Sequence, residues 1–171
     1  MALQRSSGQA TTRYVIALGS NRRGRHGSPA ETLRRAAAAL CVDRLSKIRS
    51  TPALGPAGRS FANAAAILSS DLAPPALLDR LKELERQFGR RAGRRWGPRI
   101  LDLDLILWSR GAFAGAGLAI PHPHFRQRTF VLEPLAEIAA GWRDPLTGLS
   151  VRQLRYRLGA ARPVDPRPGH P

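Results

Sequence analysis

The segment Leu101-Asp102-Leu103-Asp104-Leu105-Ile106-Leu107-Trp108 decides how this chain folds. Leucine and aspartate alternate over its first five residues, and the remaining three are apolar. Because successive side chains of a β-strand point to opposite faces of a sheet, the alternation predicts a strand with Asp102 and Asp104 on one face. The leucines beside them then point into a core. We therefore expect one end of this strand to present two acids to a cleft.

Capped helices and short apolar runs around this strand predict an α+β fold. The clearest helix start is Ser28-Pro29-Ala30-Glu31, where serine caps the helix, proline takes the first helical position and glutamate reaches back to the cap amide. The predicted strands are residues 13–19, 45–50, 61–69 and 101–108, and the predicted helices are 28–40, 74–88 (ended by Gly89), 129–140 (interrupted near Pro134) and 150–158. This order is typical of the ferredoxin-like arrangement, with an antiparallel sheet flanked by helices.

The length of the chain fits one domain. We expect the domain to span residues 13–158 of the 171, with flexible residues 1–12 and a flexible proline-rich tail at 159–171. No apolar run approaches the roughly 18 residues needed to cross a bilayer, and the first residues lack the apolar block of a secretory signal. A short transit segment is the alternative to a disordered N-terminus. We therefore expect a cytoplasmic protein with no membrane partner.

Cys41 is the single cysteine of the chain. Its solitary occurrence excludes a disulfide framework and a thiolate metal cluster. We interpret it as a small apolar residue on the buried face of the alanine-rich first helix, rather than as a nucleophile.

The chain is strongly basic, with 28 Lys and Arg residues against 12 Asp and Glu, a net charge of +16. All of the basic residues except Lys47 and Lys82 are arginine, a bias that GC-rich coding alone can produce. Such a charge suits nucleic acid, phosphates or an anionic membrane, or forms a solvated surface. The positions of arginines without acidic neighbours are therefore more informative than the total.

Asp102 and Asp104 require cations if they share a face, because their charges repel each other. Hard divalent metal ions with oxygen ligands meet that requirement, and such sites can clamp a phosphoryl group in transfer. A surface pair of acids satisfied by arginines is the alternative. Residues 90–99 (RRAGRRWGPR) favour the metal site, since they contain five arginines and no acid, and guanidinium groups suit phosphate oxygens. Trp96 within them either covers a bound nucleotide or packs on the domain edge.

A third polar segment is residues 121–128 (PHPHFRQR). His122 and His124 lack an evident third ligand for zinc. We interpret His122 as a hydrogen-bond donor to phosphate, supported by Arg128. The sequences GxxxxGK[ST] and GxGxxG do not occur, so neither a P-loop nor a Rossmann nucleotide site is available.

Several segments, in order along the chain, resemble the 6-hydroxymethyl-7,8-dihydropterin pyrophosphokinases of folate biosynthesis. The most specific segment is Arg95-Trp96-Gly97-Pro98-Arg99-Ile100-Leu101-Asp102-Leu103-Asp104. The others are residues 14–21 (YVIALGSN), 51–56 (TPALGP), 61–64 (FANA) and 121–122 (PH). The likeness extends from about residue 13 to about residue 155.

This resemblance implies a magnesium-dependent transfer of pyrophosphate from ATP to the hydroxymethyl oxygen of 6-hydroxymethyl-7,8-dihydropterin, with release of AMP. It also implies a monomer with no nucleic-acid partner. The residues implied for catalysis are Arg90, Arg99, Asp102 and Asp104, of which the two aspartates bind two magnesium ions. The residues implied for nucleotide binding are Glu85, Trp96, His122 and Arg128. The residues implied for pterin binding are Thr51, Pro52, Leu54, Phe61, Asn63 and Phe130, with Phe61 and Phe130 stacking on the ring and Asn63 reading its edge.

Four positions depart from the family pattern. Phe61 stands where tyrosine is common, and Lys82 stands where the family has glutamine. Pro123 replaces an aromatic residue, and Gly117 replaces an arginine. These departures concern nucleotide affinity more than the chemistry.

Two other functions compete with this one. The net charge of +16 would suit a basic nucleic-acid-binding domain, but aromatic residues are few and the basic segment leads into acids. Asp102 and Asp104 could instead serve a two-metal phosphodiesterase or nuclease. Such sites usually recruit further acids or histidines, and this chain is poor in acids.

Overall fold

The computed structural model describes residues 11–51, 60–89 and 100–160. Within those ranges the elements, in chain order, are β1 (Thr12–Ser20), α1 (Pro29–Leu40), β2 (Arg44–Leu45), β3 (Arg49–Thr51), β4 (Phe61–Ser70), α2 (Pro74–Gln87), β5 (Asp102–Trp108), β6 (Phe113–Gly115), β7 (Leu118–Ile120), a 3-10 helix (Phe125–Gln127), α3 (Thr129–Ala139) and α4 (Val151–Ala160). No helix among them is long and apolar enough to cross a membrane.

One antiparallel sheet forms the centre of the fold. Its strands lie in the order β2-β4-β1-β5. Strand β3 pairs with the same edge of β4 as β2 does, nearer to the start of β4. If β2 and β3 are counted as one interrupted strand, the elements up to β5 follow the strand-helix-strand-strand-helix-strand order of ferredoxin-like folds. The predicted α+β architecture is therefore confirmed.

Apolar side chains on both faces of the sheet bind the helices. Along β1, Ile16 and Leu18 are buried beneath α1 and α2, whereas Val15 is buried beneath α3 and α4. This alternation follows from the two-residue period of a strand. The first face gives the ferredoxin-like core, and the second is covered by helices that come after β5.

Helix α1 begins as predicted. Ser28 Oγ accepts a hydrogen bond from the Glu31 N–H over 3.3 Å, and the Glu31 carboxylate accepts one from the Ser28 N–H over 2.6 Å.

The prediction for Cys41 is wrong, because this residue is exposed just beyond the helix with a left-handed φ of 52°. It closes the last turn through bonds from its N–H to carbonyls of that turn, while Leu40 takes the buried position.

The second predicted strand is interrupted rather than continuous. Ser46 lies between β2 and β3, where its N–H donates to the Ala65 carbonyl and its Oγ accepts from the Ala65 N–H, both over 2.9 Å. A side-chain oxygen thus replaces the backbone acceptor that a regular ladder would provide. The pairing of this region with β4 survives, but the regular strand does not.

Other boundaries also differ from the prediction. Helix α3 continues through Pro134, which lies in its middle and removes one intrahelical hydrogen bond without ending the helix. Strand β1 begins one residue earlier than predicted and α4 ends two residues later. The hairpin of β6 and β7 was not predicted from the sequence, whose short runs lack strong apolar alternation there.

A buried ion pair, also absent from the sequence analysis, fixes the segment that leads to α3. Arg126 binds both carboxylate oxygens of Asp144 over 2.6 and 2.7 Å, and the Asp144 side chain is fully buried. Burial opposes ionisation of Asp144, but hydrogen bonds from Arg126, Thr147 and the Leu146 N–H prevail and lower its pKa. The ion pair thereby fixes the 3-10 helix that immediately precedes Arg128.

We predict that Gly27→Ala destabilises the protein more than Gly111→Ala. Both glycines have a φ of 102°, so either alanine should cost about 1–2 kcal/mol of backbone strain. A Cβ on Gly27 would also overlap the Glu31 carboxylate, whereas one on Gly111 would meet nothing within 4 Å. Loss of the helix cap should add about 1 kcal/mol for Gly27→Ala. Denaturant unfolding of both variants measures the difference, and equal losses would contradict the assigned cap.

Candidate active site

The two aspartates of β5 lie on one face of the sheet, as the alternation predicts. Asp102 and Asp104 are half-buried, whereas Leu103 and Leu105 are buried in the core beneath α1 and α2. The aspartates therefore face the side that carries α3.

Small residues of β1 separate these aspartates from an amide on β4, the strand on the other side of β1. Gly19 of β1 lies between Asn63 of β4 and Asp102 of β5, and Ala17 lies beside Asp104. We call the surface formed by Asn63, Gly19, Ala17, Asp102 and Asp104 the floor of the site. A Cβ on Gly19 would be 3.5 Å from Asn63 Oδ1, so this oxygen lies over Gly19. Since strands are spaced by about 4.8 Å, the backbones at Asn63 and Asp102, which are two strands apart, are separated by about 10 Å across the sheet.

Side chains of α2 bind the free edge of β5 between the two aspartates. The Leu103 N–H donates to Glu85 Oε1 over 2.8 Å, and Lys82 Nζ donates to the Leu103 carbonyl over 3.4 Å. Lys82 Nζ lies 2.9 Å from Glu85 Oε1, and the Glu85 side chain is fully buried. The prediction of Glu85 as a nucleotide contact did not include this role. The i,i+3 spacing of the two residues was the available signal in the sequence.

A β-bulge in β5 brings His122 to the aspartates. Val15 pairs with Leu107 but Ile16 pairs with Leu105, so Ile106 is an extra residue on β5. The Ile106 carbonyl accepts a hydrogen bond from the His122 N–H over 3.1 Å. The irregular strand thereby anchors the segment that carries the predicted phosphate ligands.

The pKa values of this cluster reflect burial among charges. Burial and the charge of Asp102 raise the pKa of Asp104, against the opposing effects of His122 and Lys82. Burial lowers the pKa of His122, although Asp104 acts in the opposite direction and Arg128 adds to the lowering. In the absence of a bound cation, the site therefore disfavours full charge on both groups.

A second polar cluster holds Asn63 in place. Asn63 is 6% exposed and its Nδ2 donates to Thr51 Oγ1 over 2.8 Å. Glu137 of α3 ties the strand of Thr51 to the helix, because it accepts from the Lys47 N–H over 2.9 Å and from Arg49 Nη2 over 3.1 Å. Asn63 and Thr51 were predicted as site residues, whereas the supporting Glu137 was not.

Two aromatic rings, Phe61 and Phe130, were predicted to stack on the pterin. Phe61 is half-buried at the start of β4 and, by strand alternation, faces the same side as Asn63. Phe130 is 41% exposed at the start of α3, and the Arg128 guanidinium lies 5.9 Å from its ring centroid. An exposed ring next to a cation is available for stacking with a ligand.

Five predicted site residues lie outside the described ranges, namely Pro52, Leu54, Arg90, Trp96 and Arg99. The hinge predicted for residues 90–99 lies there too. The described residues that flank this segment are close together, since a Cβ on Gly89 would be 3.1 Å from Ile100 Cδ1.

The described donor set fits magnesium better than zinc. Magnesium commonly binds through one or two carboxylates while substrate phosphates and water supply its other ligands, and Asp102 and Asp104 provide such a pair. In residues 11–51, 60–89 and 100–160, no group of three or more His, Cys, Asp or Glu could hold a metal. Those ranges therefore contain no four-ligand protein cage of the kind structural zinc requires.

Comparison with known proteins places the chain among proteins of one activity. The family model described as 7,8-dihydro-6-hydroxymethylpterin-pyrophosphokinase matches residues 15–140. The 2-amino-4-hydroxy-6-hydroxymethyldihydropteridine pyrophosphokinase of Synechocystis is 42% identical over 131 residues, which cover 75% of this chain and 67% of that protein. The protein of the same name from Bacillus subtilis is 39% identical over 146 residues, covering 84% of this chain and 87% of that protein.

Solved structures agree at the level of the fold. The crystal structure of Plasmodium falciparum HPPK-DHPS aligns with a TM-score of 0.67 over 89% of this chain, at 12% identity. This chain covers 42% of that longer chain. None of these matches supports the nucleic-acid-binding or phosphodiesterase alternatives. From the match of the family model and the identity to full-length relatives, we conclude that the chain belongs to the 7,8-dihydro-6-hydroxymethylpterin-pyrophosphokinase family.

Proposed function

We propose that the protein transfers pyrophosphate from ATP to the hydroxymethyl group of 6-hydroxymethyl-7,8-dihydropterin in folate biosynthesis. The observation that carries this proposal is the row Asn63–Gly19–Asp102, which sets a hydrogen-bonding amide and a metal-type carboxylate on one floor. A spacing of about 10 Å leaves room for a flat ring on one side and phosphates on the other.

Asp102 and Asp104 would hold two magnesium ions at the phosphate end of this floor. Magnesium would neutralise charge on the ATP phosphates and so make the β-phosphorus open to attack. Half-burial of both carboxylates keeps them partly desolvated, which strengthens their interaction with a cation.

The nucleotide would lie toward the segment anchored on the β5 bulge. His122 is hydrogen-bonded to that bulge and acts on the charge of Asp104, so it is placed close to the phosphates that the aspartates would bind. We assign Arg128 to the same phosphates and Trp96 to the nucleotide. Glu85 would contribute chiefly by holding β5, since its carboxylate is buried against Leu103.

The pterin would lie between Phe61 and Phe130, over Thr51 and Asn63. Asn63 Nδ2 donates a hydrogen bond to Thr51 Oγ1, which orients the amide so that its oxygen can accept hydrogen bonds from N–H groups on the ring edge. Pro52 and Leu54 lie outside the described ranges and are assigned to the same pocket by resemblance alone.

In the reaction, the hydroxymethyl oxygen attacks the β-phosphorus of ATP and forms a new P–O bond. The bond between the β-phosphorus and the oxygen that joins it to the α-phosphorus breaks, AMP leaves, and the hydroxyl proton passes to solvent. Arg90 and Arg99 would stabilise charge on the group in transfer. Alignment of the reactants and neutralisation of charge account for the acceleration of the reaction, so no strong general base is required.

We further propose a cytoplasmic, monomeric enzyme without a nucleic-acid partner.

The function is tested by incubating the protein with ATP, magnesium and 6-hydroxymethyl-7,8-dihydropterin and separating the nucleotides by ion exchange. We expect AMP and the pterin pyrophosphate in equal amounts, with AMP formation dependent on the pterin. Formation of ADP, or of AMP at the same rate without the pterin, would refute pyrophosphate transfer.

We expect Asp102→Asn and Asp104→Asn each to lower kcat roughly a thousandfold or more, since each removes a ligand for metal that stabilises the transferring group. The exposed Asp79→Asn on α2 is the charge-matched control and should keep full activity. In metal-free buffer the melting temperature of Asp104→Asn should be equal to or above that of the wild type, because burial and Asp102 already disfavour the charge. Wild-type turnover in either variant would argue against the metal assignment.

Arg99→Ala should reduce kcat by roughly a hundredfold or more while changing the KM for the pterin little, because the guanidinium is assigned to the transferring group. Steady-state kinetics with the pterin varied measures both constants. Arg34→Ala, an exposed change on α1, serves as the control for loss of positive charge. A rise in KM at unchanged kcat would show that Arg99 binds substrate instead.

A further inference from the structure

The ion pair of Arg126 and Asp144 lies beside the segment that we assign to the nucleotide. Each Asp144 carboxylate oxygen accepts one hydrogen bond from Arg126, over 2.6 Å from Nε and 2.7 Å from Nη2. Each oxygen also accepts one bond from the turn that follows it, over 2.6 Å from Thr147 Oγ1 and 3.0 Å from the Leu146 N–H. Two parallel bonds from a planar guanidinium fix its orientation as well as its position. The ion pair is therefore a rigid link between two separate segments of the chain.

The turn that carries Asp144 is held by backbone hydrogen bonds. The Asp144 N–H donates to the Leu149 carbonyl over 2.9 Å, and the Asp144 carbonyl accepts from the Gly148 N–H over 2.8 Å. Next to this turn, the Val151 N–H donates to the Trp142 carbonyl over 2.9 Å, and Val151 is buried at the start of α4. Asp144 is thus a fixed point of the fold rather than a mobile surface acid.

Hydrogen bonds connect Arg126 to both residues assigned to the phosphates. The Phe125 N–H donates to the His122 carbonyl over 3.2 Å, and the Arg128 N–H donates to the Phe125 carbonyl over 3.3 Å. The Arg128 carbonyl then accepts the Leu132 N–H over 2.9 Å as α3 begins. The 3-10 helix, His122 and Arg128 therefore form one hydrogen-bonded unit, and Arg126 lies within it.

Two neighbouring residues anchor this unit in different ways. Phe125 is fully buried in the core beneath α3 and α4, whereas the Arg126 side chain is 24% exposed and reaches the turn of Asp144. Apolar contact is non-directional, so the buried ring alone leaves the unit free to rotate. Hydrogen bonds are directional, and those of Arg126 remove that freedom.

Phe130, which we assign to the pterin, has anchors that do not involve Arg126. Val131 and Leu132 are buried beside it. Farther along α3, Glu137 accepts a hydrogen bond from the Lys47 N–H over 2.9 Å, which joins the helix to the sheet. We therefore expect loss of the ion pair to disturb the nucleotide side of the site and to spare the pterin side.

We propose that Arg126 and Asp144 are a positioning pair for nucleotide binding, which orients His122 and Arg128 toward the phosphates. The inference rests on the proposed assignment of His122 and Arg128 to the nucleotide. Asp144 holds Arg126 by charge and by geometry, and Arg126 passes that fixed position to the 3-10 helix. Affinity for ATP then depends on the pair, whereas affinity for the pterin does not.

The test is a calorimetric titration of the full chain with α,β-methylene ATP and magnesium, an analogue in which the bond to be broken is blocked. We expect Arg126→Gln and Asp144→Asn each to raise the Kd of the analogue roughly fivefold to tenfold, because each removes the charge-assisted bonds of the pair. The Kd of 6-hydroxymethyl-7,8-dihydropterin, titrated with the analogue saturating, should match that of the wild type. The double variant should bind no more weakly than the weaker single variant, since the pair can be lost only once.

Two control variants separate positioning from general damage. Thr147→Val removes one bond to Asp144 and leaves the bonds from Arg126 in place, so we expect a lower melting temperature and an unchanged Kd for the analogue. Arg155→Gln removes the same charge from an exposed position on α4 and should bind like the wild type. A Kd in Thr147→Val as high as that in Arg126→Gln would overturn the proposal, because loss of stability alone would then weaken binding.

Three further results would also overturn the positioning role. They are a wild-type Kd for the analogue in Arg126→Gln, equal losses of affinity for analogue and pterin, and additive losses in the double variant. Arg126→Gln leaves the Asp144 carboxylate buried without its ion-pair partner and can fail to fold. Asp144→Asn leaves no such charge and then decides in its place, with a wild-type Kd as the contrary result.

His122→Ala and Arg128→Ala separate this inference from the proposed function. If neither variant binds the analogue more weakly than the wild type, the nucleotide assignment fails and the role of the ion pair fails with it. If both bind it more weakly while Arg126→Gln and Asp144→Asn bind like the wild type, only the positioning role is overturned.

Discussion

Two like charges held side by side on an edge strand are the constraint around which this structure is organised. Asp102 and Asp104 must share a face because the leucines between and beside them are required by the core. For Asp104, the charge of Asp102 is opposed by the charges of His122 and Lys82. Under the proposed function, cations and phosphates bound at this point would offset the repulsion between the two carboxylates.

The sheet connects this charged end to the polar cluster of Asn63 and Thr51. Strand β1 is paired along its length with β4 on one side and with β5 on the other, so Gly19 and Ala17 separate the two halves of the site. Small residues at these positions keep the floor low, and backbone pairing fixes its width. Support comes from outside the floor, where Glu85 holds β5 and Glu137 holds β3.

Local patterns in the sequence predicted much of this architecture. The cap of α1, the helix α2 and the face of the aspartates depend on neighbours within four residues, and all three are found as predicted. Cys41 was wrongly placed on the buried face of α1, because helical periodicity does not reveal the left-handed turn by which the residue after Leu40 leaves that face. The break at Ser46 depends on Ala65, a partner nineteen residues away, and no local pattern could indicate it.

The sequence by itself determined the order of the elements, the common face of Asp102 and Asp104 and the family resemblance, because these follow from strand and helix periods and from contiguous motifs. Only the tertiary structure decided which groups surround the aspartates. The bulge at Ile106 brings in His122, and packing of α2 brings Lys82 and Glu85 to the edge of β5. Such contacts join residues about twenty positions apart, and they arise from the pairing register and helix packing, which a one-dimensional pattern does not contain.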